Sequence, residues 1–390
     1  MLKNQFYTFF LLVYFPFGLI LYDILHIQFI DEILVLLLVL YTFVFFLKVR
    51  RKVTKEIKCV LFIFLAYLLY SILIKTTSVK ANLLDFQQQI KPYIAFYSTL
   101  YLGPIFTSKQ RCLLNIEIKL LVLLSLVIIC IGKAKIFFGE PLAALATTIS
   151  TLALFYYYFS FQADNSKRNS FLIMSVGLLS GKAKFMGEYV IAIYLFFRKK
   201  VRLDLFSLKS VAIFFICLMS IVYVIWDKLN FYFIEGMQNS EGIARPLLYK
   251  TSLDIFKDYF PLGPGFGTFC NEASRSVYSP LYYEYNLQDV WGLTPENSAF
   301  AADCFYPTLS QFGIVGVILF FLFWRQCYMQ IQKIKNEKNY IIGKIIIVIL
   351  LFESIADTTY LSNRGVPFFI LLALVISSSK KQLKTSTKRL

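Results

Sequence analysis

The sequence predicts an all-α integral membrane protein of about twelve transmembrane helices, interrupted once by a long polar loop. Three observations carry this reading. The 390 residues are 58% hydrophobic and only 16% charged, whereas soluble domains have roughly a quarter of their residues charged. Runs such as 33–47 and 211–226 contain no charge at all, and in lipid such a run satisfies its backbone polar groups only as a helix. Between Trp226 and Phe300 these runs stop, so that stretch is a structured polar insertion.

The apolar segments fall at about 6–25, 31–47, 57–74, 90–107, 113–132, 141–161, 170–180, 185–197, 208–226, 303–324, 340–355 and 364–378. Those at 170–180 and 185–197 are shorter than the ~20 residues needed to span a bilayer. They flank Ser180-Gly-Lys-Ala-Lys184, so they read either as short helices or as a re-entrant pair meeting at a polar turn. The chain thus divides into N-terminal membrane helices (1–226), a long loop (227–302), C-terminal membrane helices (303–378) and a basic tail (379–390) expected to be disordered. The first apolar segment has no small-residue cleavage site behind it and is expected to be a retained helix.

Charge orients the chain. The 48–58 loop carries six Lys/Arg, which places it in the cytoplasm. Alternation then puts the N-terminus, 108–119, 162–169, 198–209, 325–339 and the tail on the same side. Those regions together hold twice the Lys and Arg of the opposite side. Both termini are therefore expected inside and the 227–302 loop outside. The net charge of +17 is explained by this distribution, and nucleic-acid binding is excluded as a function class. The seven cysteines form no CxxC pair, so neither a metal cluster nor a disulfide framework is indicated. Cys270 and Cys304 fall in one compartment, but spacing alone does not pair them. The single histidine, His26, lies at the outer end of the first helix and reads as an interfacial residue, so no other histidine is available as a base.

The long loop holds the residues best suited to chemistry. Arg245-Pro246 opens a helix in the way proline favours. Leu247, Leu248, Leu253, Ile255, Phe256 and Tyr259 form its apolar face, with Lys250, Asp254, Lys257 and Asp258 elsewhere. Such a helix lies on a membrane surface or covers a cavity between helices. The chain then reads Pro-Leu-Gly-Pro-Gly-Phe-Gly-Thr-Phe at 261–269. Gly263, Gly265 and Gly267 permit a tight path whose free N–H groups can approach phosphate oxygens, although a plain turn explains the same pattern. It is not a dinucleotide fingerprint, since no strand precedes it.

Positive charge on the outer side runs against the orientation rule and asks for a partner or a task. The residues concerned are Lys91, Lys182, Lys184, Arg245, Arg275 and Arg364. As a set they suit a lipid-linked diphosphate, whose headgroup needs charged donors beside a slot for an apolar tail. Carboxylates near the same level are Glu188, Asp303, Glu353 and Asp357. Asp303 opens the helix that leaves the loop, where it reads either as a cap or as an acceptor for a hydroxyl proton. Glu353 and Asp357 read as structural partners for the outer cations.

The order of Arg245, an amphipathic helix, the Gly-rich 261–269 element, a polar stretch and then Asp303 to Gly313-Ile-Val-Gly316 resembles the O-antigen polymerase and O-antigen ligase superfamily. The resemblance covers roughly 170–325 by motif and the whole chain by topology. It implies a GT-C-like membrane glycosyltransferase acting without metal or cofactor at the outer face of a bacterial inner membrane. Its substrates would be undecaprenyl-diphosphate-linked glycans, and its partners a chain-length regulator and a flippase. On this resemblance Arg245 and Asp303 are the catalytic candidates. Lys182, Lys184, Arg275, Gly263, Gly265 and Gly267 are the candidates for diphosphate binding. The family usually has a Ser-Arg pair where 180–184 stands, and the match leaves Lys182 and Lys184 both open; a lysine supplies a point charge where arginine supplies a fork. Ligases of the superfamily carry a histidine in or just after the long loop. This loop has none, and Asp303 stands in its place, which tilts the expectation to a polymerase of O-antigen or capsule repeat units. The alternatives are a ligase transferring finished polymer to an acceptor, and a flippase or transporter, which would show two similar halves.

Overall fold

The computed structural model describes residues 2–25, 27, 29–49, 54–133, 142–161, 163–197 and 244–386. All regular structure among them is helical. Helix α1 (Leu2–Pro16) runs on into a wider π-helical stretch, Phe17–Ile24, directly after Pro16. It is followed by α2 (Ile30–Val49), α3 (Lys55–Ile74), α4 (Val79–Leu102), α5 (Ser108–Lys133) and α6 (Leu142–Phe159). Helix α7 (Ala163–Val176) tightens into a 3-10 turn, Gly177–Ser180, before α8 (Ala183–Phe197). The loop contributes α9 (Ala244–Asp258), α10 (Glu272–Ser276) and α11 (Leu281–Glu284). A 3-10 helix, Tyr306–Phe312, then leads into α12 (Gly313–Gln332), α13 (Glu337–Glu353) and α14 (Val366–Ser386).

Every apolar segment that falls within the described residues is helical. The segment at 208–226, the basic run at 198–202, His26, residues 227–243 of the loop and the last four residues of the tail lie outside the described residues. Among the described residues, five helices are long and apolar enough to cross a membrane: Lys3–Ile24, Ile30–Val49, Lys55–Ile74, Ser108–Gly132 and Tyr306–Gln332. Helix α3 makes the strongest case for a lipid solvent. Only 6% of its apolar window is buried by the rest of the protein, and Phe62, Leu65, Leu69 and Leu73 point outward. In water such a face would be an aggregation site.

Three boundaries differ from the sequence expectation. Helix α4 begins at Val79, well before the apolar run, because Ser78 caps it through the Ala81 amide. Lys91 therefore lies inside a helix rather than at its start. The tail is helical through Ser386, since α14 continues past its apolar part. Asp303 does not open a helix: it sits in a turn closed by its own amide on the Phe300 carbonyl, and the helix starts beyond it.

The long loop has its own apolar centre, separate from that of the bundle, built on Leu248, Ile255, Phe269, Leu281, Tyr282 and Leu293. Helix α9 turns Ala244, Leu248, Thr251, Ser252 and Ile255 inward, the i, i+4, i+7, i+8 spacing of one helical face. Leu253, expected on that face, is exposed.

Candidate functional site

The loop docks on one end of the bundle, and the glycine element is the joint. The amides of its three glycines and of Phe266 are already engaged within the protein. The Gly263 amide donates to the Tyr259 carbonyl at 2.8 Å and that of Gly265 to the Gln311 carbonyl at 2.9 Å. The amides of Phe266 and Gly267 donate to Ser71 Oγ at 2.9 Å and Asp85 Oδ2 at 2.8 Å. The expectation of free N–H groups for phosphate is therefore not met at Gly263, Gly265 or Gly267. Glycine is needed there for a different reason. At Gly267, φ is +70°, and a Cβ would stand 2.6 Å from the Ala81 carbonyl oxygen. Between the glycines, Phe266 is buried among the rings of Phe64, Phe86 and Phe312, which contributes roughly 1.5–3 kcal/mol to docking.

This joint positions the charged residues. The 3-10 helix at 306–312 is held to the loop by Asn271 Nδ2 donating to Gln311 Oε1 at 2.9 Å. It is held to α13 by the Phe305 amide donating to the Ser354 carbonyl at 3.2 Å. Tyr249 on α9 donates to the Ile355 carbonyl at 2.8 Å, and Thr358 Oγ1 to the Ala302 carbonyl at 3.1 Å. Two residues far apart in sequence are thereby brought together: the Arg245 guanidinium pairs with the Asp303 carboxylate, both partly open to solvent.

A second ion cluster adjoins the first. Lys184, at the start of α8, pairs with Asp357 and lies 3.7 Å from Glu353. Arg364 reaches Asp357 at 3.4 Å, and Thr147 donates to Glu353. Burial pushes the Asp303 carboxyl up, against the pull of Arg245, and Asp357 and Lys184 are close enough to act on it as well. Burial alone would also raise Asp357, but Arg364 and Lys184 hold it down at about 2.

Of the two lysines left open by the sequence, Lys184 enters this network. Lys182 sits at the apex turn, where among the described residues no carboxylate is within ion-pair distance. Arg275 is not brought to the Arg245–Asp303 pair; it bonds Glu272 at 2.6 Å, one turn back on its own short helix. Lys91 is buried and paired with Asp31 and Glu32 of α2, the structural alternative.

Two cavities of contrasting chemistry lie among the described residues. A polar cleft of about 490 Å³ is lined by Tyr22, Glu32, Lys80, Gln88, Glu272 and Arg275 among others, with Ala302 and Thr358 in its wall. An apolar cavity of about 430 Å³ is lined by Phe64, Tyr93, Tyr97, Phe266, Phe305 and Phe323 among others. Gln88 faces the first and Gln89 the second; Ala302 faces the first and Phe305 the second. Helix α4 at 88–89 thus stands between them, and neither Arg245 nor Asp303 lines either one.

Sequence reasoning assigned no role to Asp85, Ser71, Asn271 or Gln311, which hold the joint. They are ordinary polar residues in or near helices, and no local pattern marks them. Asp357 and Arg364 were legible only as charges near a helix end. Comparison with protein-family models and with curated proteins gave no significant match.

Proposed function

We propose that this protein is a membrane-embedded glycosyltransferase that joins oligosaccharide repeat units carried on undecaprenyl diphosphate, at the outer face of a bacterial inner membrane. The observation that carries the reading is the Arg245–Asp303 pair set beside the Lys184–Asp357–Arg364 cluster, cations gathered and partly open to solvent where the loop meets the bundle. The cluster supplies charged donors for the anionic headgroup of a lipid-linked sugar diphosphate, and the apolar cavity and the polar cleft suit its tail and its polyhydroxylated chain. The full count of twelve membrane helices, the GT-C-like architecture, and the placement of both termini inside with 227–302 outside belong to this reading.

In the reaction, an acceptor hydroxyl of one repeat unit attacks the anomeric carbon of the growing chain, the bond to the diphosphate breaks, and configuration inverts. The incoming diphosphate takes Arg245 away from Asp303. That exchange leaves Asp303 free to accept the hydroxyl proton, and its burial makes it a stronger base than an exposed carboxylate. Arg245 and Lys184 stabilise the charge that develops on the leaving oxygens; loss of one such donor costs on the order of 10²–10³ in rate. Lys182, at the apex turn, assists binding with no carboxylate partner to displace among the described residues. Arg275 and the rest of the polar cleft receive acceptor sugars, since clustered amide, carboxylate and guanidinium groups suit hydroxyl-rich ligands. A chain-length regulator and a flippase are the expected partners. The absence of histidine in 227–302 favours polymerase over ligase.

The test is the surface-glycan ladder of a deletion strain carrying the wild-type protein or Arg245→Ala. Collapse of the ladder to lipid bearing a single repeat unit supports polymerisation. Long polymer accumulating on the carrier lipid indicates a ligase. An unchanged ladder, or repeat units trapped on the cytoplasmic leaflet, refutes the enzyme and favours a transporter.

A further inference from the structure

We propose that Cys270 and Cys304 are joined by a disulfide in the mature protein, and that this bond ties the segment carrying Asp303 to the glycine joint. The two sulfurs lie 3.7 Å apart, and both side chains are fully buried. The surrounding chain is pinned on several sides. The Cys270 amide donates to the Tyr282 hydroxyl at 3.2 Å, Thr308 Oγ1 donates to the Cys270 carbonyl, and Cys270 Sγ faces the Cys304 carbonyl at 3.2 Å. Cys270 itself has φ +52°, a left-handed conformation that an L residue keeps only where its surroundings over-determine it. A covalent link to Cys304 supplies that constraint. It also adds a covalent tie beside Asp303, in a segment otherwise held by hydrogen bonds and the Arg245 ion pair.

The inference rests on the reading that the 227–302 loop lies outside the cytoplasm, where thiol oxidants operate. The bond forms by exchange with an oxidised dithiol–disulfide carrier of that compartment. The Cys270 thiolate attacks one carrier sulfur and displaces the other as a thiolate. The Cys304 thiolate then attacks the Cys270 sulfur of the mixed disulfide, closing the Cys270–Cys304 bond and releasing the carrier as a dithiol. Two electrons pass to the carrier, and the two thiol protons end on its sulfurs. This precedes closure of the loop, because both sulfurs are fully buried in the folded state, out of a carrier's reach. Once buried, the disulfide is shielded from reductants.

The test uses the full chain. Protein is extracted from membranes in N-ethylmaleimide without reductant, digested and mapped by mass spectrometry. In parallel, Lys257→Cys, at a position 75% exposed on α9, is probed in intact cells with a membrane-impermeant maleimide. The expected result is a linked peptide pair containing residues 270 and 304, with Lys257→Cys labelled in intact cells. Labelling of Lys257→Cys with both native thiols recovered as maleimide adducts overturns the disulfide while leaving the loop outside. Labelling of Lys257→Cys only after permeabilisation overturns the side assignment, and the disulfide inference falls with it.

Discussion

Gly267→Ala separates a glycine loop that binds phosphate from one that holds the protein together. Gly267 has φ +70°, and a Cβ there would stand 2.6 Å from the Ala81 carbonyl oxygen and 2.7 Å from its carbonyl carbon. Neither is the tip of a flexible side chain, so the loop must move. The left-handed conformation alone costs an alanine roughly 1–2 kcal/mol. Movement also stretches the 2.8 Å bond from the Gly267 amide to Asp85, and a hydrogen bond to a charged group contributes about 1.5–3 kcal/mol. The expected loss is therefore about 2–5 kcal/mol. Thermal unfolding in detergent, followed by tryptophan fluorescence with size-exclusion recovery after heating, reads it directly. Gly267→Ala should unfold several degrees below wild type and be recovered in lower yield. A variant with wild-type thermal stability that fails only to bind lipid-linked diphosphate would refute the reasoning, because the amide would then belong to the ligand.

Arg245→Ala should lower stability only modestly, by about 1 kcal/mol, since the ion pair is partly open to solvent, yet lower polymerisation on the order of 10²–10³-fold; a large stability loss would make Arg245 structural. Lys184→Met should destabilise by about 1.5–3 kcal/mol, the worth of a hydrogen bond to a charged group, since Asp357 keeps Arg364 and Glu353 keeps Thr147, measured in the same unfolding assay. Asp357, held at about 2 against an ordinary 3.8, stabilises the fold fully above the ordinary value and loses that contribution as pH falls between the two; stability profiled against pH should show this acid loss moving upward in Lys184→Met. Asp303 is shifted the other way, so polymerisation should fall as pH drops through a value above 3.8, and Asp303→Asn should abolish that limb of the rate profile. If Cys270 and Cys304 are linked across their separation of 34 residues, reductant should lower wild-type stability after unfolding by about 4 kcal/mol and leave a Cys270→Ala, Cys304→Ala double variant unmoved.

Hydropathy and charge determined by themselves the helical class, the polar insertion and the helix α9 that opens at Arg245-Pro246, because these depend on the composition and period of contiguous residues. They also marked Arg245, Lys184 and Asp303 as charges in costly places. Only the tertiary structure decided what those charges meet. Arg245 finds Asp303 across 58 positions, and Lys184 finds Asp357 across 173; no local pattern encodes such separations. The Gly-rich element shows the difference most sharply. Its conformational freedom is written in the residues, but the use of that freedom is not, because a glycine that lets phosphate approach and one that lets a carbonyl approach have the same sequence. The backbone of α4 comes close at Ala81 and Asp85 accepts the Gly267 amide, so the protein itself occupies the space and the donor that an anion would have required.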